Sequence, residues 1–389
     1  MEAMRDSSDT VAIYVHIPWC ASKCWYCDFN SHARPDPPER EYTDALLAEW
    51  RARRGEAAGS VTSIYFGGGT PSLFSPGAIA RVIRAIRAEA DVASNAEITL
   101  EANPGTVESA RIAGFAGAGV NRLSLGVQSL DAAVLAKLGR RHSPDDVIRA
   151  VETVRTAGVA NFNLDLMFGI PERPAGRLER DLDELLALGS PHVSAYCLTI
   201  YDDTHLGRER LRGRRAEMDG DDASDEFARV CGRIEAAGLR QYEIANFARP
   251  GFESRHNTHY WMRGRYVGLG AGATSFFHAH GDPAGVRFEN VKAPEDYIER
   301  IHETGSARAW EERLTPDQAL GEAMFLGLRR VAGIDPAAIA ARYGVDPRER
   351  FRSELADLRD RGWIADDGAS IRLTREGLFV SDEVFCRFV

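Results

Sequence analysis

Through the first half of this 389-residue chain, short apolar runs alternate with longer amphipathic stretches. That alternation dictates strands followed by helices, and hence a parallel α/β sheet. The strand-like runs are 12–17, 63–66, 97–101, 122–127, 163–167 and 192–198. Helical periodicity fills 42–54, 76–89, 107–116, 144–157 and 177–188, with glycine stops such as Gly158 and Gly189. Six such units predict either a doubly wound open sheet or a partial, TIM-like (β/α)6 barrel, and periodicity alone does not separate them. Glu101, Gln128 and Asp165 fall at or just past the carboxyl ends of three strands, the face on which both architectures bind ligands.

The second half changes texture. A charge-dense stretch, 207–226, reads as an exposed connection into a helix at 224–237. Glycines crowd 264–272. Helical patterns at 315–329, 335–343 and 348–361, a hairpin around 366–368 and a last helix near 377–388 predict a helical, winged-helix-like C-terminal domain. The expected division is a core barrel at 1–206, a charged connection and linking region at 207–310, and a C-terminal helical domain at 311–389.

Six cysteines are too sparse for a disulfide scaffold in a chain this long. Three of them, Cys20, Cys24 and Cys27, form C-x3-C-x2-C directly after the first strand, and such clustering reads as metal binding. A tetrahedral zinc needs a fourth ligand, which His16, His32 or Asp28 could supply; a cubane cluster held by protein alone needs four thiolates. Three thiolates on a four-iron cluster leave one iron open, and the amino and carboxylate groups of S-adenosylmethionine (SAM) suit that position. An electron from such a cluster can cleave the sulfonium to a 5′-deoxyadenosyl radical, with the protein positioning and shielding the chemistry. Cys197, Cys231 and Cys386 read as core thiols. The net charge of -10 argues against nucleic acid as a partner. Residues 1–10 carry no apolar segment of a signal peptide and no run is long enough to span a bilayer, so a reducing, cytoplasmic setting is expected.

A second element, Phe66-Gly67-Gly68-Gly69-Thr70-Pro71, follows the next strand, where missing Cβ atoms let the main chain touch a ligand. It lacks the G-x-G-x-x-G pattern of dinucleotide binding. Together with Tyr14-Val-His-Ile-Pro-Trp-Cys20 and Tyr26 before the last cysteine, the chain resembles the radical SAM superfamily, specifically its coproporphyrinogen oxidase-like branch, over most of its length. The resemblance implies a radical SAM barrel with a [4Fe-4S] cluster on Cys20, Cys24 and Cys27. It implies SAM contacts at Tyr14, Gly68, Glu101, Gln128, Arg140 and Asp165, with Gly69, Thr70, Tyr26 and Thr199 as further contacts. The residue types suit such contacts, since carboxylates fit ribose hydroxyls, arginine fits a carboxylate, and glutamine can both donate and accept.

Within that branch the oxygen-independent coproporphyrinogen III oxidase competes with HemW-type haem chaperones. The oxidase motif continues with a fourth cysteine where Phe29 stands, and the oxidase has a longer N-terminal segment than the 13 residues before Tyr14. His256-Asn257-Thr258-His259-Tyr260-Trp261 matches the chaperones' H-N-x-x-Y-W signature. The resemblance therefore implies haem as a third cofactor, with His256 rather than His259 as axial ligand, Tyr260 and Trp261 as flat apolar surface, and haem-accepting proteins such as respiratory cytochromes as partners. His278 and His280 form a second candidate pair. A homodimer and a transient, membrane-associated acceptor are compatible with it, and a different radical SAM enzyme is the remaining alternative.

Overall fold

The structure, a computed structural model, describes residues 9–106, 109–279 and 282–389. In chain order its first elements are β1 (Thr10–Ile17), β2 (Trp19–Cys20), β3 (His32–Ala33), α1 (Glu39–Arg53), β4 (Ser60–Gly68), α2 (Pro76–Glu89), β5 (Asp91–Ala102), α3 (Ser109–Ala118), β6 (Arg122–Gln128), α4 (Ala132–Lys137), α5 (Pro144–Thr156), β7 (Asn161–Phe168), α6 (Arg177–Ala187) and β8 (His192–Cys197). All six anticipated strands form, and β1, β4, β5, β6, β7 and β8 pair in parallel in that order. Local sequence starts the helices: Ser75 and Ser143 cap α2 and α5, each followed by a proline whose fixed φ suits the first helical turn.

The segment read from sequence as a connection is instead ordered and adds to the sheet. It supplies α7 (His205–Leu211), α8 (Gly220–Ala236), β9 (Arg240–Glu243), β10 (Asn246–Ala248), α9 (Arg255–Trp261), β11 (Arg265–Leu269), β12 (Thr274–Ala279), β13 (Asp282–Asn290), α10 (Pro294–Thr304) and β14 (Arg308–Arg313). The 12 strands run β14-β13-β12-β11-β1-β4-β5-β6-β7-β8-β10-β9, with β11 a seventh parallel strand beside β1 and the outer strands antiparallel. β14 and β9 are edges, so the barrel stays open. The charges of 207–226 pair among themselves and with their neighbours, as in Arg210 with Asp202 and Glu217, which orders the stretch. Helices α11 (Pro316–Leu328), α12 (Pro336–Tyr343), α13 (Pro347–Arg350) and α14 (Arg352–Asp360), the hairpin β15 (Ile364–Asp366)–β16 (Ile371–Leu373) and two short helices then build a second core around Met324, Leu328, Leu358 and Ile371.

Both faces of the parallel strands are covered, yet they do not read as continuous apolar runs. One face sends Val15, Ile64, Phe66, Leu100, Leu125 and Leu164 into the helix-packed core. The other carries Ser63, Thr99, Ser124, Asn163 and Ser194, buried and polar. An inner face of this kind lines a site rather than a core.

One buried ionic cluster fastens the antiparallel extension to α1. Glu49 accepts from Arg53 Nη1 (2.6 Å), the Gly270 amide (2.9 Å), Asn290 Nδ2 (2.8 Å) and Tyr297 Oη (2.7 Å). Arg53 also donates to the Gly268 carbonyl and Ser275 Oγ. Every charge is satisfied, so removing one partner is the costly change: Arg53→Met is expected to lower stability on the order of 3 kcal/mol, read from urea unfolding followed by tryptophan fluorescence. A double Glu49→Leu/Arg53→Met variant should recover part of the loss.

Candidate functional site

The cysteine loop is closed at its base. Trp19 and Cys20 of β2 pair with His32 and Ala33 of β3, so 21–31 is an excursion between two pinned ends. Asn30 ties it to the sheet extension, donating from Nδ2 to the carbonyls of Ala271 (3.1 Å) and Lys292 (3.0 Å). Lys23 Nζ donates to the Phe29 and Ser31 carbonyls, both at 3.1 Å. The half-buried thiols of Cys20, Cys24 and Cys27 all line one cavity of about 400 Å³ at the carboxyl ends of the strands. Burial pushes the Cys20 and Cys27 thiols up.

Of the alternative zinc ligands, His16 has both ring nitrogens committed, to Tyr14 Oη (3.0 Å) and the Asn30 carbonyl (2.8 Å), His32 is exposed and does not line the cavity, and Asp28 is exposed at its edge. Among the described residues no three Cys, His, Asp or Glu side chains converge on a position for a single ion. Three thiols spread around a roomy cavity fit a polynuclear centre with an open site better than a tetrahedral ion.

Glycine is required at two points of the wall. Gly68 has φ +110°, and a Cβ there would lie 2.5 Å from the His16 ring; one on Gly69 would lie 2.5 Å from the Trp19 carbonyl oxygen. The run is thus pressed against β1 and β2. Thr70 Oγ1 donates toward Cys20 Sγ (3.4 Å) and accepts from Asn103 Nδ2 (2.8 Å). Arg140 reaches Cys24 Sγ with Nη1 (3.4 Å), while Nη2 donates to Asn103 Oδ1 (2.6 Å) and the Gly126 carbonyl. Gln128 closes β6 with φ +68°, a left-handed conformation unusual outside glycine.

Two carboxylates face the cavity. Glu101 accepts from Tyr65 Oη (2.7 Å) and the Gly68 amide (3.2 Å), and burial raises its pKa to about 7. Asp165 accepts from Asn163 Nδ2 (2.6 Å), and burial raises it to about 6. With Tyr26, Gly68, Gly69, Thr70, Gln128, Arg140 and Thr199, they line the same cavity as the thiols. Tyr14 is not among the residues that line the cavity. It lies behind the wall, its hydroxyl on His16 and its ring stacked on Tyr65 at 6.1 Å.

The histidines of the H-N-x-x-Y-W segment are buried. His256 is 1% exposed; Ser63 Oγ engages its Nδ1 at 2.9 Å, and Tyr65 and Tyr260 pack on its ring at 4.9 and 4.6 Å. His259 is 4% exposed, with Nε2 on the Arg265 carbonyl at 2.7 Å. His259 thus has its Nε2 committed, whereas His256 Nε2 is buried without a hydrogen-bond partner among the described residues; burial lowers the His256 pKa to about 3. Tyr260 packs edge-on against Tyr266, and the Arg329 guanidinium covers the Trp261 ring. Their flat faces serve packing. His278 is buried against Arg342, and His280 lies outside the described residues.

Tyr65, Asn103, Ser124 and Tyr196 also line or support the cavity and escaped the sequence reading. The signal was present as period-two polarity in strands otherwise apolar enough for a buried sheet. Two outcomes test the wall. The Glu101 carboxyl, followed by infrared titration, should have its midpoint at about 7, and Tyr65→Phe should raise it, because the lost donor favours the charged form. Gly69→Ala should weaken ligand binding in the cavity about tenfold or more, measured by calorimetry, because the backbone must shift to relieve the clash.

Comparison with known proteins agrees with this geometry. The radical SAM superfamily description matches residues 14–185, and the HemN C-terminal domain matches 314–380. The Heme chaperone HemW of Bacillus subtilis (strain 168) is 35% identical over 383 residues, covering 97% of this chain and 98% of the relative. That of Haemophilus influenzae is 34% identical over 391 residues, covering 97% and 98%. Coproporphyrinogen III oxidase (HemN) from Escherichia coli, described as a radical SAM enzyme, superposes with a TM-score of 0.83 at 22% identity over 99% of this chain and 91% of that one, which establishes the common fold. On identity sustained across nearly the whole chain, this protein belongs to the HemW haem chaperone family of the radical SAM superfamily.

Proposed function

We propose that this protein is a cytoplasmic haem chaperone that carries a [4Fe-4S] cluster and SAM, binds haem and passes it to haem proteins such as respiratory cytochromes. The observation that carries the reading is the convergence of three cysteines, the Gly68–Gly69 turn and the Glu101, Gln128, Arg140 and Asp165 side chains on one cavity, in a chain whose relatives are named haem chaperones. Cys20, Cys24 and Cys27 would hold the cluster; Gly68, Gly69 and Thr70 would meet the methionine end of SAM, and Glu101 and Asp165 its ribose. When bound and reduced, the cluster can supply the electron that cleaves the SAM sulfonium.

The chain's own part is to orient and tune. Each thiol has polar neighbours, Thr70 and Ser31 for Cys20, Arg140 for Cys24 and Ser31 for Cys27, and hydrogen bonds to sulfur set the potential of such centres. For haem, support comes from the cavity rim rather than from His256. Phe29, Tyr196 and Tyr201 are 65%, 41% and 47% exposed and line the cavity, offering aromatic surface where the oxidase motif has its fourth cysteine. No helix among the described residues is long and apolar enough to cross a membrane.

Anaerobic reconstitution followed by parallel haem-binding and coproporphyrinogen III decarboxylation assays tests the reading. Haem binding without decarboxylation is expected; decarboxylation would establish the oxidase alternative. Cys24→Ser should lose the thiolate-to-iron charge-transfer absorption. His256→Ala should destabilise the barrel yet leave the position of the haem Soret band unchanged.

A further inference from the structure

A hydrogen-bonded chain runs through the barrel interior from the start of α9 to the cavity. The Ser254 amide donates to Tyr242 Oη (3.1 Å), Tyr242 contacts His192 Nε2 (2.9 Å), His192 Nδ1 contacts Asn163 Oδ1 (2.6 Å), and Asn163 Nδ2 donates to Asp165 Oδ1 (2.6 Å) and Ser124 Oγ (2.8 Å). Proton positions follow from its two ends. A backbone amide can only donate, so the Tyr242 oxygen accepts from it and its hydroxyl proton points to His192 Nε2. The Asp165 carboxylate and Ser124 take both protons of the Asn163 amide, so its oxygen faces His192 and Nδ1 must carry the imidazole proton. Every donor therefore points toward Asp165.

His192 is buried, and burial keeps it neutral, with its pKa well below the usual range. It cannot reach the cavity itself through this arrangement; it acts through Asn163, its registered partner on the neighbouring strand. Without a donor at Nδ1, the Asn163 oxygen loses its partner and the amide is held in this orientation by Asp165 and Ser124 alone. Ser254 is the N-cap of α9, whose residues are the H-N-x-x-Y-W segment, so the chain joins that segment to the cavity.

We propose that His192 is a positioning residue which, locked in one tautomer by Tyr242 and the Ser254 amide, orients Asn163 so that Asp165 stays an ionised hydrogen-bond acceptor for the ligand. This rests on the reading that Asp165 contacts SAM. The groups facing Asp165 are Arg122 from β6, Arg140 beyond α4, Glu101 from β5, and the phenols Tyr65, Tyr196 and Tyr26. Glu101 titrates in a similar range, so the informative quantity is the change between variants in which Glu101 and its partners are intact.

The test is the pH dependence of SAM affinity in the reconstituted protein. His192→Phe keeps a ring and removes the donor; the midpoint should rise by about one pH unit, with affinity about twofold weaker near neutrality, approaching about tenfold weaker below the parent midpoint, and restored in mildly alkaline buffer. His192→Gln, which retains an N–H donor, should stay near the parent. Should His192→Phe fail to fold, Tyr242→Phe should shift the midpoint in the same direction by less. An unchanged profile, or an equal loss at every pH, would overturn the proposal. Long-range ¹⁵N–¹H correlation of histidine-labelled protein, with His192 assigned by its loss in His192→Gln, reads the tautomer without ligand. An Nδ1–H signal is expected, and an Nε2–H signal would also overturn it. Absence of SAM binding by the parent protein at any pH would instead overturn the SAM reading, leaving the tautomer signal to decide the relay.

Discussion

Everything in this barrel depends on satisfying polar groups that the sheet buries on its inner face. A parallel sheet covered on both sides ordinarily fills both with aliphatic side chains, because an unpaired polar group out of water costs about 1–3 kcal/mol. Here β4, β5, β6, β7 and β8 turn polar side chains inward, and Ser63, Glu101, Ser124, Asn163 and Asp165 are paired with one another and with the aromatic and imidazole side chains beside them. The pairing fixes the direction of each donor. That makes the cavity a preorganised set of acceptors and donors rather than a hole in a core.

The same logic governs the cysteine loop. Its position is set by the packing of Tyr26 on Leu138 and Met167 and by hydrogen bonds to separate parts of the chain, among them His16 on β1, the Ala271 and Lys292 carbonyls of the extension, Leu138 after α4 and Leu206 in α7. The extension is in turn clamped to α1 by the Glu49–Arg53 cluster. Strands that look peripheral in the sheet order thereby help to hold the thiols, and the glycines at 68 and 69 allow the adjacent turn to close against them.

The strong periodic signals were legible in the sequence: six βα units, the helix starts written by Ser-Pro, the three thiols and the polar residues at strand ends. What was not legible had a physical reason in each case. β11 is five residues long and flanked by Gly264 and Gly270, so its apolar run is too short and too punctuated to declare a strand. The outer strands carry polar residues throughout, Arg308–Arg313 most of all, because an edge strand can face water. Tyr14 lies on the inner face as its position in β1 dictates, but only tertiary packing shows that its hydroxyl is taken by His16 and its ring by Tyr65. His256 carries the residue type of a haem ligand, and its burial beneath the strands is something no local pattern displays.

In the proposed function, three thiolates leave one metal position of a four-iron centre open toward the cavity, where SAM would bind. Mössbauer spectroscopy of ⁵⁷Fe-reconstituted protein, recorded with and without SAM, addresses it most directly. The account predicts a four-iron cluster in which one iron changes its isomer shift and quadrupole splitting on addition of SAM while the other three do not. A mononuclear site, or a four-iron spectrum indifferent to SAM, would contradict it.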